Sequence, residues 1–143
     1  MSRRFTLLIA DRNPHVREFL KREMTAEGFV VRLARNGLEV MQSLFKQGPP
    51  DLLILDLDLP DSDEMSVLDE IQTCFPNLPV VVHTFLSECT DRLAVLQTTA
   101  VVEKQGNNVD RLKKVVMRVL QESYLRRIEP EKRDWREADR SLP

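Results

Sequence analysis

Cysteine is nearly missing from this sequence: Cys74 and Cys89 are its only two, and they are not in a paired motif. A disulfide-stapled secreted scaffold is thereby excluded, and buried, reduced thiols in a cytoplasmic protein are the expected state. Histidine is equally scarce. His15 and His83 stand far from each other and from the cysteines, so no zinc site is expected. An excess of one charge is also lacking. A formal net charge of -2 supplies no basic field for DNA, RNA or an anionic membrane, and no direct nucleic-acid partner is expected. Long apolar runs are absent as well. The run in the opening "MSRRFTLLIADRNP" is short and stops at Asp11 and Arg12, which fails as a signal peptide, and no other stretch would span a bilayer.

What remains is the balance of a globular chain. Hydrophobic residues at 42% and charged residues at 31% exclude a wholly disordered one, and 143 residues suffice for one well-buried core but not comfortably for two. Five short apolar runs recur: "FTLLIA" (5–10), "VVRLA" (30–34), "LLIL" (52–55), "VVVH" (80–83) and "AVV" (100–102). Runs without polar alternation are the habit of strands covered on both faces. "LLIL" reads as central, and "VVRLA", interrupted by Arg32, as an edge.

Between the runs lie helical patterns. Asn13-Pro14 is a helix start, followed by Val16, Phe19, Leu20 and Met24 on one face and Gly28 as the stop. Asn36-Gly37 opens a second helix with Leu38, Met41, Leu44 and Phe45 inward, ended by Gly48 and Pro49-Pro50. Val67, Leu68 and Ile71 mark a third. Leu93, Val95 and Leu96 suggest a short fourth. The last begins near Asn107 or Asn108, with Asp110 in its first turn, and carries Leu112, Val115, Val116, Val119 and Leu120 inward. Alternation of strand and helix predicts an α/β domain, a parallel sheet with helices on both faces. The last helical pattern runs on through Tyr124, Leu125 and Ile128. The domain is thus expected over 1–128, with 129–143, almost all charge around Trp135, as a flexible tail.

Open parallel sheets place their chemistry at the carboxyl ends of the strands. Asp11, Asp56, Thr84 and Lys104 sit at four such ends. The residue types suit one chemistry: a carboxylate that attacks phosphorus, a lysine and a hydroxyl that hold phosphoryl oxygens, and acidic neighbours for Mg2+. A lone Asp after a strand is more often a turn or helix cap, and taken alone that is the expectation for Asp11 or Asp61.

The motifs "LLIADRNPHVREFL", "DLLILDLDLPDSDEMSVL", "PVVVHTF" and "AVVEK" together resemble the receiver domain of two-component response regulators over residues 5 to about 124. The resemblance implies a flavodoxin-like, doubly wound five-stranded sheet in the order 2-1-3-4-5. It also implies that Asp56 is the phosphoacceptor, that Thr84 and Lys104 contact the phosphoryl group, and that Asp11, Asp56 and the carbonyl of Asp58 hold Mg2+. Its partners would be a histidine kinase or phosphotransfer protein and a downstream protein. A homodimer is expected through the face that the last two helices and last strand form in this family. "DLDLP" also resembles the opening motif of haloacid-dehalogenase-type phosphatases. Those enzymes carry it on a first strand and need a later acidic pair, which "AVVEKQGN" does not supply.

Five residues depart from the receiver pattern. Arg12 stands where the family usually has a second acidic residue, and a guanidinium cannot ligate Mg2+, so metal binding is expected to be weak. Phe85 follows the Thr where a small residue is usual and is expected to lid Asp56. Glu64, Gln105 and Val101 also differ. Two readings follow. One is a single-domain response regulator, not an enzyme and without an output domain, that accepts phosphate on Asp56. The other is a degenerate receiver acting as a phosphorylation-independent interaction module.

Overall fold

Strands and helices alternate along the computed structural model of the chain, which describes residues 4–61, 66–85, 100–104 and 109–141. The order is β1 (Thr6–Ala10), α1 (Pro14–Ala26), β2 (Val30–Ala34), α2 (Gly37–Lys46), β3 (Leu52–Leu55), α3 (Ser66–Cys74), β4 (Val80–Thr84), β5 (Ala100–Glu103) and α4 (Val109–Ser141). All pairings are parallel, and the strands lie in the order β2-β1-β3-β4-β5. This is the flavodoxin-like sheet expected from the sequence, with β3 central and β2 at the edge. The short helix predicted around Leu93, Val95 and Leu96 lies outside the described residues, as do Cys89, Glu64 and Gln105.

The period of two along each strand explains the uninterrupted apolar runs. Leu8, Ala10, Leu53, Leu55, Val80 and Val82 point to one face, where they pack with Val40 and Leu44 of α2 and Leu68 and Ile71 of α3. Leu7, Ile9, Leu52, Ile54, Val81 and Val102 point to the other, against Leu20 and Met24 of α1 and Leu112, Val116 and Val119 of α4. Neither face of β1 or β3 meets water, so polar alternation has no place there. Removing any of these leucines to Ala would cost about 3 kcal/mol, the transfer term plus a cavity.

Local chemistry sets the helix ends. The Asn13 side chain accepts from the N–H groups of His15 (2.9 Å) and Val16 (3.4 Å), with Pro14 as the first helical residue. Asn36 accepts from Glu39 N–H at 2.8 Å. Gly28 and Gly48, which stop α1 and α2, take φ of 98° and 81°, where a side chain would be strained. On the edge strand Arg32 leaves the sheet to donate to Ser43 Oγ at 3.2 Å and to the Gly48 carbonyl at 2.9 Å.

The helix faces correct parts of the sequence reading. In α1 the inward stripe is Val16, Leu20 and Met24, and Phe19 lies on its flank, 41% exposed. In α2 the buried positions are Gly37, Val40 and Leu44, which turn toward the sheet. Leu38 and Phe45 therefore face out, although the Phe45 ring packs at 5.2 Å from that of Phe75. Cys74, expected to be buried, is exposed at the end of α3. The helical backbone of α4 continues to Ser141, past the boundary expected at Ile128. Among the described residues no helix is long and apolar enough to cross a membrane.

Candidate functional site

One residue of extra ladder at each strand end gathers the site. Beyond Ala10, Asp11 donates its N–H to the Ala34 carbonyl at 3.2 Å, and beyond Leu55, Asp56 donates to the Ala10 carbonyl at 2.9 Å. Beyond Glu103, Lys104 donates to the Thr84 carbonyl at 2.8 Å. The parallel register thus sets Asp11, Asp56, Thr84 and Lys104 along a single carboxyl edge of the sheet.

Lys104 is the centre of the group. Its Nζ lies 2.8 Å from Asp11 Oδ2 and 3.2 Å from Asp56 Oδ2, and all three side chains are largely buried, at 13%, 2% and 3% exposure. Two backbone donors complete the Asp56 carboxylate: Asp58 N–H reaches Oδ1 at 3.0 Å, and Arg12 N–H reaches Oδ2 at 3.4 Å. Asp11 also accepts from Asn13 N–H at 2.9 Å. Burial nevertheless pushes the Asp11 carboxyl above its ordinary value of 3.8, against the lowering effect of Lys104 and the Asn13 N–H.

Arg12, the main departure from the receiver pattern, turns its guanidinium to Asp58, Nη1 to Oδ2 at 3.0 Å, with both side chains half-exposed at the mouth. Phe85 has its ring centroid 5.8 Å from Lys104 Nζ and is 54% exposed. It flanks the lysine, a cation–π arrangement, with much of its own surface open. Thr84 is buried at the end of β4, and its described tie to the group is its carbonyl. Val101 is half-buried against the α2–α3 face. Asp61 stands apart from the group and caps α2, accepting from Gly37 N–H at 2.7 Å and Leu38 N–H at 3.0 Å, as expected of a lone Asp after a strand.

Two participants escaped the sequence reading. Arg17, on the first turns of α1, donates from Nη1 to the Asp11 carbonyl at 2.6 Å and brings a further cation to the site. Its place six residues after Asp11 was the only signal. His83, next to Thr84, is buried with Nδ1 unpartnered among the described residues, and burial followed by the nearby Lys104 lowers its pKa to about 4.

Among the described residues no group of three or more His, Cys, Asp or Glu side chains is arranged to hold a metal ion. Asp11 and Asp56 are spanned by Lys104, and Asp58 is held by Arg12. Asp56 also closes the third strand of the chain, whereas a dehalogenase-type motif closes a first. A buried carboxylate beside an ammonium brings together a nucleophile and a countercharge, the pair of groups that attack on an electrophile such as phosphorus requires.

Comparison with known proteins identifies the family of the chain. The family model "Response regulator receiver domain" matches residues 7–116. Response regulator MprA of Mycobacterium ulcerans (strain Agy99) is 31% identical over 94 residues, which are 66% of this chain and 40% of MprA. The chain therefore spans about 40% of the length of the curated relatives it matches. Among solved structures, NtrX from Brucella abortus superposes with a TM-score of 0.81 at 26% identity, over 90% of this chain and 29% of NtrX. TrrA from Thermotoga maritima, solved in complex with Mg2+-BeF, gives 0.72 at 30% identity, over 80% of this chain and 98% of TrrA.

Proposed function

The chain belongs to the response regulator receiver family, and on that premise we propose that Asp56 accepts a phosphoryl group from a histidine kinase or phosphotransfer protein, after which the modified face binds a downstream protein. The observation that carries this reading is the Asp56 carboxylate, buried at a strand end with the Lys104 ammonium at 3.2 Å. An Asp56 oxygen forms the new P–O bond while the bond from phosphorus to the donor's imidazole nitrogen breaks, and the electron pair leaves with the donor. Lys104 and the Thr84 hydroxyl then take the phosphoryl oxygens. The event modifies the chain itself and turns over no substrate, so the protein acts as a signalling component and not as an enzyme. The cytoplasm is the compartment this reading assigns.

Mg2+ would supply positive charge toward the transferred oxygens, with Asp11 and Asp56 as its carboxylates, and the Arg12–Asp58 pair makes its affinity weak. That same pair favours the second reading, an interaction module that works without phosphorylation. A homodimer belongs to either reading. Leu125 and Ile128 are exposed on α4, at 54% and 39%, and a symmetric pair of copies would cover them.

The test is titration with beryllofluoride, with and without Mg2+, followed in the amide spectrum. Saturable shifts at Asp56, Thr84 and Lys104 that vanish in Asp56→Ala are expected. A spectrum that does not respond under either condition rejects the phosphoacceptor reading in favour of the interaction module.

A further inference from the structure

The site already contains its countercharge. Asp11, Asp56 and Asp58 bring three carboxylates, and the cationic heads of Lys104, Arg12 and Arg17 all contact these same residues. Lys104 pairs with two of the carboxylates and Arg12 with the third, while Arg17 meets the Asp11 carbonyl, so each carboxylate already has a cationic partner before a divalent cation enters. It would also have to part Lys104 from two buried carboxylates or Arg12 from Asp58. Arg12 is differently placed. Its guanidinium uses Nη1 on Asp58, its remaining side-chain nitrogens have no partner among the described residues, and 53% of the side chain is open at the mouth.

We propose that Arg12 is the phosphoryl-binding cation of this site, so that Asp56 takes and keeps a phosphoryl group without a divalent metal. The inference rests on the reading of Asp56 as phosphoacceptor. A guanidinium presents paired N–H donors that match two oxygens of a phosphoryl group, and it needs no oxygen cage to hold it in place. Asp58 anchors the guanidinium at the mouth, and its own N–H, together with that of Arg12, fixes the Asp56 carboxylate. In the transfer an Asp56 oxygen bonds to phosphorus as the bond to the donor breaks, the donor keeps the electron pair, and the oxygens pass to Lys104 and Arg12.

Arg12→Asp removes the cation that holds Asp58 and adds a carboxylate beside it, a change that favours a divalent cation. The experiment treats the purified chain with acetyl phosphate in Mg2+ or in EDTA and reads the phosphoryl adduct by intact mass. A separate Mg2+ titration follows the amides of residues 11, 12, 56 and 58. The native protein is expected to label in EDTA to within about threefold of its extent in Mg2+. Arg12→Asp should lose at least about tenfold in EDTA, the worth of one charge-assisted hydrogen bond, and regain it with Mg2+. Its amides should shift with Mg2+ where the native ones do not. Arg12→Gln, which removes the charge without adding one, should lose label in both buffers. Native labelling that requires Mg2+, or Arg12→Asp labelling equally well in EDTA, overturns the role of Arg12 and leaves Asp56 as acceptor. Native protein that stays as unlabelled as Asp56→Ala in both buffers overturns the acceptor reading and this inference with it.

Discussion

Replacing Lys104 by Met tests the centre of the site through stability alone. The ammonium is 13% exposed and bonds two carboxylates that are 2% and 3% exposed, so the variant leaves two like charges buried without their shared cation. Breaking a buried ion pair from one side costs about 3 to 5 kcal/mol, and the low end applies here because backbone N–H groups still hold both carboxylates. Losing the contact with the Phe85 ring adds at most about 1 kcal/mol. The pH dependence has a definite sign. The Asp11 carboxyl is already raised above 3.8 by burial, so the folded state holds that proton more tightly than the unfolded chain. Stability linked to it is complete below 3.8 and is lost as pH rises through the raised folded value. Without Lys104, a lowering influence disappears and that value climbs further. The deficit of Lys104→Met against the native protein should therefore be small in acid and grow to about 3 kcal/mol at neutral pH. Urea unfolding of both proteins across that range measures it. A deficit below about 1 kcal/mol at neutral pH, or one that is larger in acid, would refute the reasoning.

His83 supplies a second titration: its pKa is lowered to about 4, so its linked stability is present above the ordinary 6.5 and lost as pH falls through about 4. An imidazole proton titration with a midpoint near 6.5 contradicts this. Phe85→Ala should speed labelling of Asp56 by acetyl phosphate roughly threefold if the ring narrows the approach beside Lys104, and an unchanged rate removes Phe85 from the account. Sedimentation at micromolar concentration should show a dimer that Leu125→Glu with Ile128→Glu dissociates, and a monomeric native protein ends that proposal.

The sheet was legible because its strands are covered on both faces. "LLIA" and "LLIL" have no polar residue to interrupt them, and the structure buries all four positions of β3. Helix phase was less legible. Leu38 and Phe45 are as apolar as Val40 and Leu44, and composition does not say which of them face the sheet. At the site, strand-end position was enough to name Asp11, Asp56, Thr84 and Lys104. It was not enough to find Arg17, whose reach to the Asp11 carbonyl depends on the angle at which α1 leaves β1.

The all-parallel sheet has a kinetic consequence. No two strands can join through a tight turn, and the central junction of β1 with β3 brings Thr6 to Asp51, 45 positions away. The pairing of β4 with β5 closes a loop less than half as long, from Val81 to Ala100. Yet closure entropy grows so slowly with length that the difference between them is under about 1 kcal/mol. Burial then decides the sequence of events. β1 and β3 pair residues that are fully enclosed on both faces, whereas β5 contributes one buried residue, Val102. The barrier to folding should therefore be crossed with the long central junction made and the short outer one still open. Truncations at Ile9 and Leu53 should slow folding, and truncation at Val102 should mainly speed unfolding. The reverse pattern would mean that the chain assembles from its outer strand inward.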